Sequence, residues 1–321
     1  MKMKQRLQIT RALSMILSLL VVAMLAPSTH FSQTQPAAGS QAPTPVHMAD
    51  FEVGRRPEAI LFDGKNIWVA NQFGDSVMKL RASDGVNLGT FATGVRPVAL
   101  VYDGQNVWVA NKFSNNVMKL RASDGEVLDT VRVGLQPEGL AFDGSNIWVA
   151  NGGENTVTKL RPSDGTNCTF VVGARPMGLV FDGANIWVAN NNSGNVTKLR
   201  ANDGTKLGTF SAGKDPVGIA FDGANLWVTN FYSETATKLR ATDGAMVDTI
   251  AVGDGPTGIA FIGGYIWVAN NGSSSLSQID PRAGKVLNTF AVGKSPSSVT
   301  YDGLNFWVAN SGSNSVSRLA L

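Results

Sequence analysis

From residue 49 onward the chain repeats one short pattern of apolar and polar positions. Around residues 206–240, Lys206–Ala212 (KLGTFSA) is a mixed run, and Pro216–Gly223 (PVGIAFDG) is an apolar run that stops at Asp-Gly. Asn225–Asn230 (NLWVTN) follows, rich in β-formers and closed by Asn. Thr235–Arg240 (TATKLR) then mixes apolar and basic residues. The alternation runs with a period near two rather than 3.6, and Asp-Gly, Ser-Asp-Gly and Asn-rich turns separate the runs. That pattern predicts a four-stranded antiparallel meander and no long helix.

The meander recurs. Tryptophans stand at 68, 108, 148, 187, 227, 267 and 307, and the chain has no others. Prolines at 57, 97, 137, 176, 216, 256 and 296 keep the same beat, eleven residues ahead of each Trp. A period of about 40 residues marks a repeat architecture. Seven four-stranded sheets set radially give an all-β chain, a seven-bladed β-propeller. The last copy stops at its third strand, Ser315–Leu321, while Asp50–Gly54 (DFEVG) matches the fourth-strand segment Thr289–Gly293 (TFAVG). An N-terminal strand is therefore expected to close the ring and leave no open sheet edge.

Composition narrows the chemistry. The single cysteine, Cys168, excludes an intramolecular disulfide and CxxC redox chemistry. Both histidines, His30 and His47, precede the repeats, which removes Ser-His-Asp triads, Cys-His dyads and histidine zinc sites. Lys2, Lys4, Arg6 and Arg11 precede an uncharged run from Ala12 to Ala26, the pattern of a secretory signal. The run falls short of the ~20 residues that span a bilayer. We expect residues 1–26 to be a signal peptide or short anchor, residues 27–48 a disordered tether and residues 49–321 the propeller. That implies export to the periplasm or the medium, with membrane contact only through residues 12–26 if they are uncleaved. Without residues 1–26, Lys+Arg falls from 27 to 23 against 24 Asp+Glu, which is not the balance of a nucleic-acid binder.

Internal repetition separates scaffold from function. A residue that builds a blade recurs in every blade, whereas one that contacts a ligand breaks the period. The Trp series is scaffold by this rule, packing between neighbouring sheets. The Asn that ends each second strand (71, 111, 151, 190, 230, 270, 310) is read as bonding turn backbone. Asp-Gly after the first strand fails only at Ile262-Gly263. Arg-x-x-Asp-Gly after the third strand, from Arg81 to Arg240, is read as a turn with Arg–carboxylate pairing between blades. Cys168 lies in Thr166–Gly173, one residue shorter than Val86–Gly94, and reads as a half-buried, inert thiol of an outer strand.

On the opposite face the period collapses. After the repeat Asn the loops read QFGDS, KFSNN, GGENT, NNSGN, FYSET, NGSSS and SGSNS. Arg56, Arg96 and Arg175 precede repeat prolines, and Phe73, Phe113, Phe231 and Tyr232 stand in the loops. Cations beside aromatic rings suit an anionic or aromatic ligand, a peptide or a protein partner. These seven residues are the candidate binding set of a monomeric, non-catalytic binding propeller without a cofactor.

The motif Trp-Val-Ala-Asn (Trp-Val-Thr-Asn at 227–230), then an Asn/Ser loop and Val-x-Lys-Leu, resembles the YVTN-type β-propeller repeat over residues 49–321. The resemblance implies an exported bacterial protein, with surface-layer and periplasmic binding propellers among its relatives. The virginiamycin B lyase family is similar over the same repeat and uses a histidine and a magnesium ion at the channel mouth. No histidine lies between 49 and 321, so no catalytic residue carries over. Lactonase-type propellers hold a metal with Glu, Asn and Asp. On that pattern the enzymatic alternative is a lyase or lactonase with Glu58, Glu138 and Asp215 at the channel mouth around a divalent metal such as Mg or Ca.

Overall fold

The computed structural model describes residues 46–320, and every regular element among them is a β-strand. The signal expected at 1–26, and the tether up to residue 45, lie outside the described residues. The strands form seven antiparallel sheets of four. The first blade runs outward through Pro57–Phe62, Asn66–Asn71, Ser76–Arg81 and Asn87–Ala92. Inner strands of successive blades touch around the ring, with the first meeting the last.

The second strand of each blade is apolar because a sheet lies on both of its faces. All six residues of Asn66–Asn71 are buried. Trp68 packs with Val107 and Val109 of the next blade. In the same way Trp307 of blade 7 meets Ile67 and Val69 of blade 1. Truncating one such indole to Ala typically costs ~3–5 kcal/mol.

A buried indole N–H needs an acceptor. Trp68 Nε1 donates to the Asp63 carboxylate at 2.7 Å, and the same bond recurs in blades 2, 3, 4, 5 and 7. Blade 6 lacks the Asp, and there the Ile262 carbonyl accepts from Trp267 at 3.2 Å. Asp63 also accepts from the backbone N–H groups of Lys65 and Asn66. Burial alone would raise the Asp103 and Asp182 carboxyls, but donation from the indole, the Asn side chain and the turn backbone holds both below the ordinary aspartate range.

Cations of the third strand stitch the blades together. Lys79 Nζ lies 5.1 Å from the Trp68 ring centre and donates across to the carbonyls of Ala122 (2.7 Å) and Ser123 (2.9 Å) in blade 2. Lys119, Lys159, Lys198 and Lys238 do the same one blade further on. Arg318 completes the ring by donating to Ser83 of blade 1 at 3.0 Å. The Arg-x-x-Asp pairs, expected between blades, instead close their own turns. Arg81 reaches Asp84 at 2.9 Å, three residues away, with both side chains exposed. A tight turn puts its own first and fourth residues within reach, and such exposed pairs contribute ~0–1 kcal/mol.

Two further readings need correction. The repeat Asn donates chiefly to polar side chains of the third strand rather than to turn backbone: Asn270 reaches Ser275 at 3.0 Å and Ser277 at 2.8 Å. A backbone N–H is its donor in blade 4, where Asn190 Oδ1 accepts from Gly173 at 3.1 Å. The incoming chain must pass close to this side chain; a Cβ on Gly54 would lie 2.5 Å from Asn71 Cγ, which explains the Gly. Cys168 is exposed rather than half-buried. Its strand, Asn167–Val171, is the outer edge of blade 3, and Phe170 is the residue that turns in, onto Trp148. The missing residue removes the bulge seen between Lys79 and Leu80 in blade 1, so Lys159 and Leu160 pair in straight register with Cys168 and Asn167.

The outer strand of blade 7 comes from the other end of the chain. Val46–Glu52 pairs antiparallel with Ser315–Ala320, so this strand begins three residues ahead of the boundary read at 49. Phe51 stacks on Trp307 with ring centres 5.4 Å apart, and Ser317 Oγ donates to Asp50 at 2.6 Å. Removing this strand uncovers an indole and the third-strand edge. We expect the chain 55–321 to melt at least ~10 °C lower than the full chain, or to be insoluble, given a cost of several kcal/mol at ~2–4 °C each. Unchanged thermal melting by circular dichroism would contradict this.

Candidate functional site

The face carrying the second-to-third loops and the incoming connections has one backbone design in all blades. The residue before the repeat Pro takes a left-handed conformation: Arg56, Arg96, Gln136, Arg175, Asp215, Gly255 and Ser295 all have φ between 52 and 58°. The fourth loop residue does likewise at Asp75, Asn115, Asn155, Gly194, Glu234, Ser274 and Asn314. In every blade but the fifth two bonds hold the loop to its own blade's connection, as in Gln72 N to Arg56 O and Phe73 N to Arg55 O; in blade 5 the first of them, Phe231 N to Asp215 O, does so.

Part of the loop variability is therefore scaffold. Loop serines 114, 193, 233, 273 and 313 accept backbone N–H bonds from Val95, Ala174, Lys214, Asp254 and Lys294. Asp75, Asn115, Asn155, Ser274 and Asn314 accept from Arg96, Gln136, Arg175, Ser295 and Arg56 of the following blade. Asp, Asn and Ser each present a side-chain oxygen there, so the residue type drifts while the bond persists. Freedom to vary is left mainly to the first two loop residues, the residues just before each Pro and the second residue of each inner strand.

Those positions are unequal among blades. In blades 1 and 2 the expected cations and rings interleave. Arg56 lies 4.9 Å from the Phe73 ring centre, and Arg96 lies 4.7 Å from both Phe73 and Phe113. Lys112 approaches Phe113 at 6.0 Å. Phe73 and Phe113 are 38% and 49% exposed, so this ladder faces solvent. The other predicted residues stand apart from it. Arg175 donates to Asn191 at 3.2 Å in blade 4. Phe231 and Tyr232 make an edge-to-face pair in blade 5, with Lys214 over Tyr232 at 5.7 Å.

Beneath the ladder, Glu58 and Glu138 do come into electrostatic contact, through a residue the repeat comparison missed. Lys112 Nζ sits 2.6 Å from Glu138 Oε1, with side chains only 19% and 6% exposed. Arg56 Nε lies 3.5 Å from Glu58. Glu58 is set deep among protein atoms, yet water reaches 31% of its side chain. Burial lifts its carboxyl above the ordinary glutamate range; Arg56 and Lys112 pull it down, and Glu138 pushes it further up. The signal for Lys112 was its position directly after the repeat Asn, where Gln72, Gly152, Asn191, Phe231, Asn271 and Ser311 stand in the other blades.

Asp215 belongs to blade 5, where its carbonyl accepts from Phe231 N. Among the described residues no three His, Cys, Asp or Glu side chains are grouped to hold a metal ion. The donor set of Glu58 and Glu138 does not suit a divalent cation, because Arg56 and Lys112 already hold these carboxylates.

An open cavity of ≈ 350 Å³ lies at the junction of blades 7 and 1. Arg55, Arg56 and Phe73 line one side, and Ser311, Gly312 and Asn314 the other, with Asn271 and Ser295 also contributing. No carboxylate lines it.

Fold and repeat together define a seven-bladed β-propeller with one uniform face and one face differentiated by sector. No protein-family model matches the sequence, and no curated protein is similar to it in sequence. Solved structures share the fold. Hydrazine synthase of Kuenenia stuttgartiensis superposes with a TM-score of 0.75 at 19% identity, over 88% of this chain and 99% of that one. A streptogramin B lyase gives 0.75 at 18%, over 88% and 100%. A catalytically inactive virginiamycin B lyase from Staphylococcus aureus, with quinupristin, gives 0.71 at 17%, over 87% and 98%.

The raised Glu58 carboxyl sets a pH dependence. A carboxyl raised on folding contributes stability that is complete below the ordinary value of 4.5 and is lost as pH rises through the folded value. Glu58→Gln carries no ionisation to lose. We expect the variant and the wild type to melt together near pH 4, with the variant more stable at pH 8. A wild type that is the more stable at pH 8 would show that Arg56 outweighs burial.

Proposed function

We propose that this chain is an exported propeller of the YVTN type that binds an anionic or aromatic ligand, or a protein partner presenting such groups, through blades 1 and 2, without acting on it chemically. The observation that carries this reading is the alternation Arg56, Phe73, Arg96, Phe113. Stacking a guanidinium on a ring leaves its N–H edge directed outward for an oxyanion and keeps the side chain from roaming. No carboxylate forms an ion pair with the Arg96 guanidinium among the described residues. Export rests on the basic and apolar pattern of residues 1–26. With those residues removed the chain is close to neutral, which makes a cationic sector a specific feature rather than a general affinity for nucleic acid.

A second reading draws on the two carboxylates. A glutamate with a raised carboxyl beside Lys112–Glu138, in a fold shared with streptogramin-type lyases, suits acid–base catalysis at the channel mouth. The repeats contain no histidine to assist.

The test is a thermal-shift panel on the full chain and on a variant combining Arg56→Gln, Arg96→Gln, Phe73→Ala and Phe113→Ala. Divalent metals, sugars, peptidoglycan fragments, lactones, organic acids and short DNA are the probes. A ligand at a hundred times its Kd adds ~2.7 kcal/mol, about 5–10 °C for a domain of this size. We expect a shift from an organic anion that the variant loses. A shift from a lactone that the variant retains would favour the catalytic reading.

A further inference from the structure

The ladder of rings and guanidiniums stops short at one end. Its rings occupy the second loop position, fixed by the same backbone bond in both blades: Phe113 N to Val95 O at 3.1 Å, and Phe73 N to Arg55 O at 3.0 Å. Each guanidinium stands on the connection into a blade, between the ring of that blade and the ring of the blade before it. Arg96 shows the complete arrangement, with Phe73 on one side and Phe113 on the other at 4.7 Å each. Arg56 is the next cation. It has Phe73 at 4.9 Å, and the preceding blade is blade 7.

In blade 7 the second loop position is Gly312, bonded in the same way, Gly312 N to Lys294 O at 2.9 Å. The cavity of ≈ 350 Å³ lies at this point, with Arg56 and Gly312 both in its wall. A dry cavity of about 150 Å³ is enough to take benzene, so a bicyclic ring is within its size. Its lining brings two guanidiniums, Arg55 and Arg56, with Ser and Asn side chains and no carboxylate. Arg55 makes no ion pair among the described residues.

We propose that the ring position left open by Gly312 is a ligand subsite, and that the ligand is a small aromatic carboxylate. Its ring stacks on Arg56 as the third ring of the ladder, and its anionic group meets Arg55. The proposal rests on the binding reading above and names the class of ligand for it. A free aromatic acid and the C-terminal aromatic residue of a peptide present the same chemistry, and the test separates them.

The test is isothermal titration of the full chain with 2-naphthoate, 2-naphthalenemethanol, cyclohexanecarboxylate and a tetrapeptide ending in phenylalanine. We expect 2-naphthoate to bind at least ~10-fold more tightly than either the uncharged alcohol or the non-aromatic acid. Tighter binding of the tetrapeptide would identify a peptide terminus as the source; weaker binding would identify the free acid. Gly312→Phe supplies the ring from the protein and is expected to abolish 2-naphthoate binding. The backbone of Gly312 is not left-handed, and blades 1 and 2 carry Phe at this position on the same backbone bond. Arg56→Gln, which leaves Gly312 in place, is expected to weaken binding at least ~10-fold and gives the answer if Gly312→Phe does not fold. Equal binding of 2-naphthoate and cyclohexanecarboxylate would overturn the stacking. Full binding to a folded Gly312→Phe would overturn the location while leaving the binding face intact, and no binding of any aromatic acid would overturn the ligand class.

Discussion

The contact on which the rest of this structure depends is the buried tryptophan between blades. Its ring is the wedge that sets one sheet against the next, and three groups fix it. A carboxylate takes its N–H, an ammonium lies over its face, and the next blade's apolar second strand packs against it. The ammonium then reaches two carbonyls in that next blade, so the same side chain that stabilises the wedge also ties the interface. Blade 6 shows how closely the charges are linked. It lacks the aspartate, with Ile262 in its place, and it also lacks the lysine, with Gln278 in its place. A half-buried ammonium without its neighbouring carboxylate would be left with poorly compensated charge, whereas a neutral amide with a backbone carbonyl as the indole acceptor avoids that penalty.

Seven such wedges must also return to their starting point. Trp307 packs on blade 1 as Trp68 packs on blade 2, and Arg318 replaces lysine while keeping both the ring contact and the reach to the next blade. The longer guanidinium also covers Phe51, a residue borrowed from the start of the chain. The seventh blade thus combines the first and the last of the described strands, and its packing repeats that of the others with different residues.

The sequence alone was enough to count the blades, assign the four strands and choose which face varies. Period and turn chemistry carry that information because every blade solves the same packing problem. Bond partners were harder to see. The Arg-x-x-Asp motif looked like an interblade pair because it is charged and periodic, yet the interblade bonds belong to Lys79 and its equivalents, whose carbonyl partners leave no mark in sequence. The loops looked wholly variable because Asp75, Asn115 and Ser274 differ in name while offering an oxygen at the same place. Glu58 and Glu138 are legible as carboxylates that directly follow the repeat proline. That Lys112 sits between them is not, since a residue of the second blade meets the third only in the closed ring.

Discounting the capping positions makes the remaining asymmetry sharper. At the loop and inner-strand positions that vary most, blades 1 to 3 place Arg56, Glu58, Arg96, Lys112 and Glu138, with two phenylalanines. The corresponding positions of blades 6 and 7 are mostly Asn, Gly, Ser and Thr. Neutral drift on seven equivalent surfaces has no reason to collect rings and charges on adjacent blades, and taking a carboxylate such as Glu138 out of water costs stability that its pairing with Lys112 offsets. The small residues stand beside the charged sector: Ser295, Ser311 and Gly312 of blade 7 line the open cavity together with Arg56 and Phe73 of blade 1. Of the charged sector, Arg56 and Phe73 reach this cavity, whereas Arg96, Lys112 and Glu138 stand away from its wall.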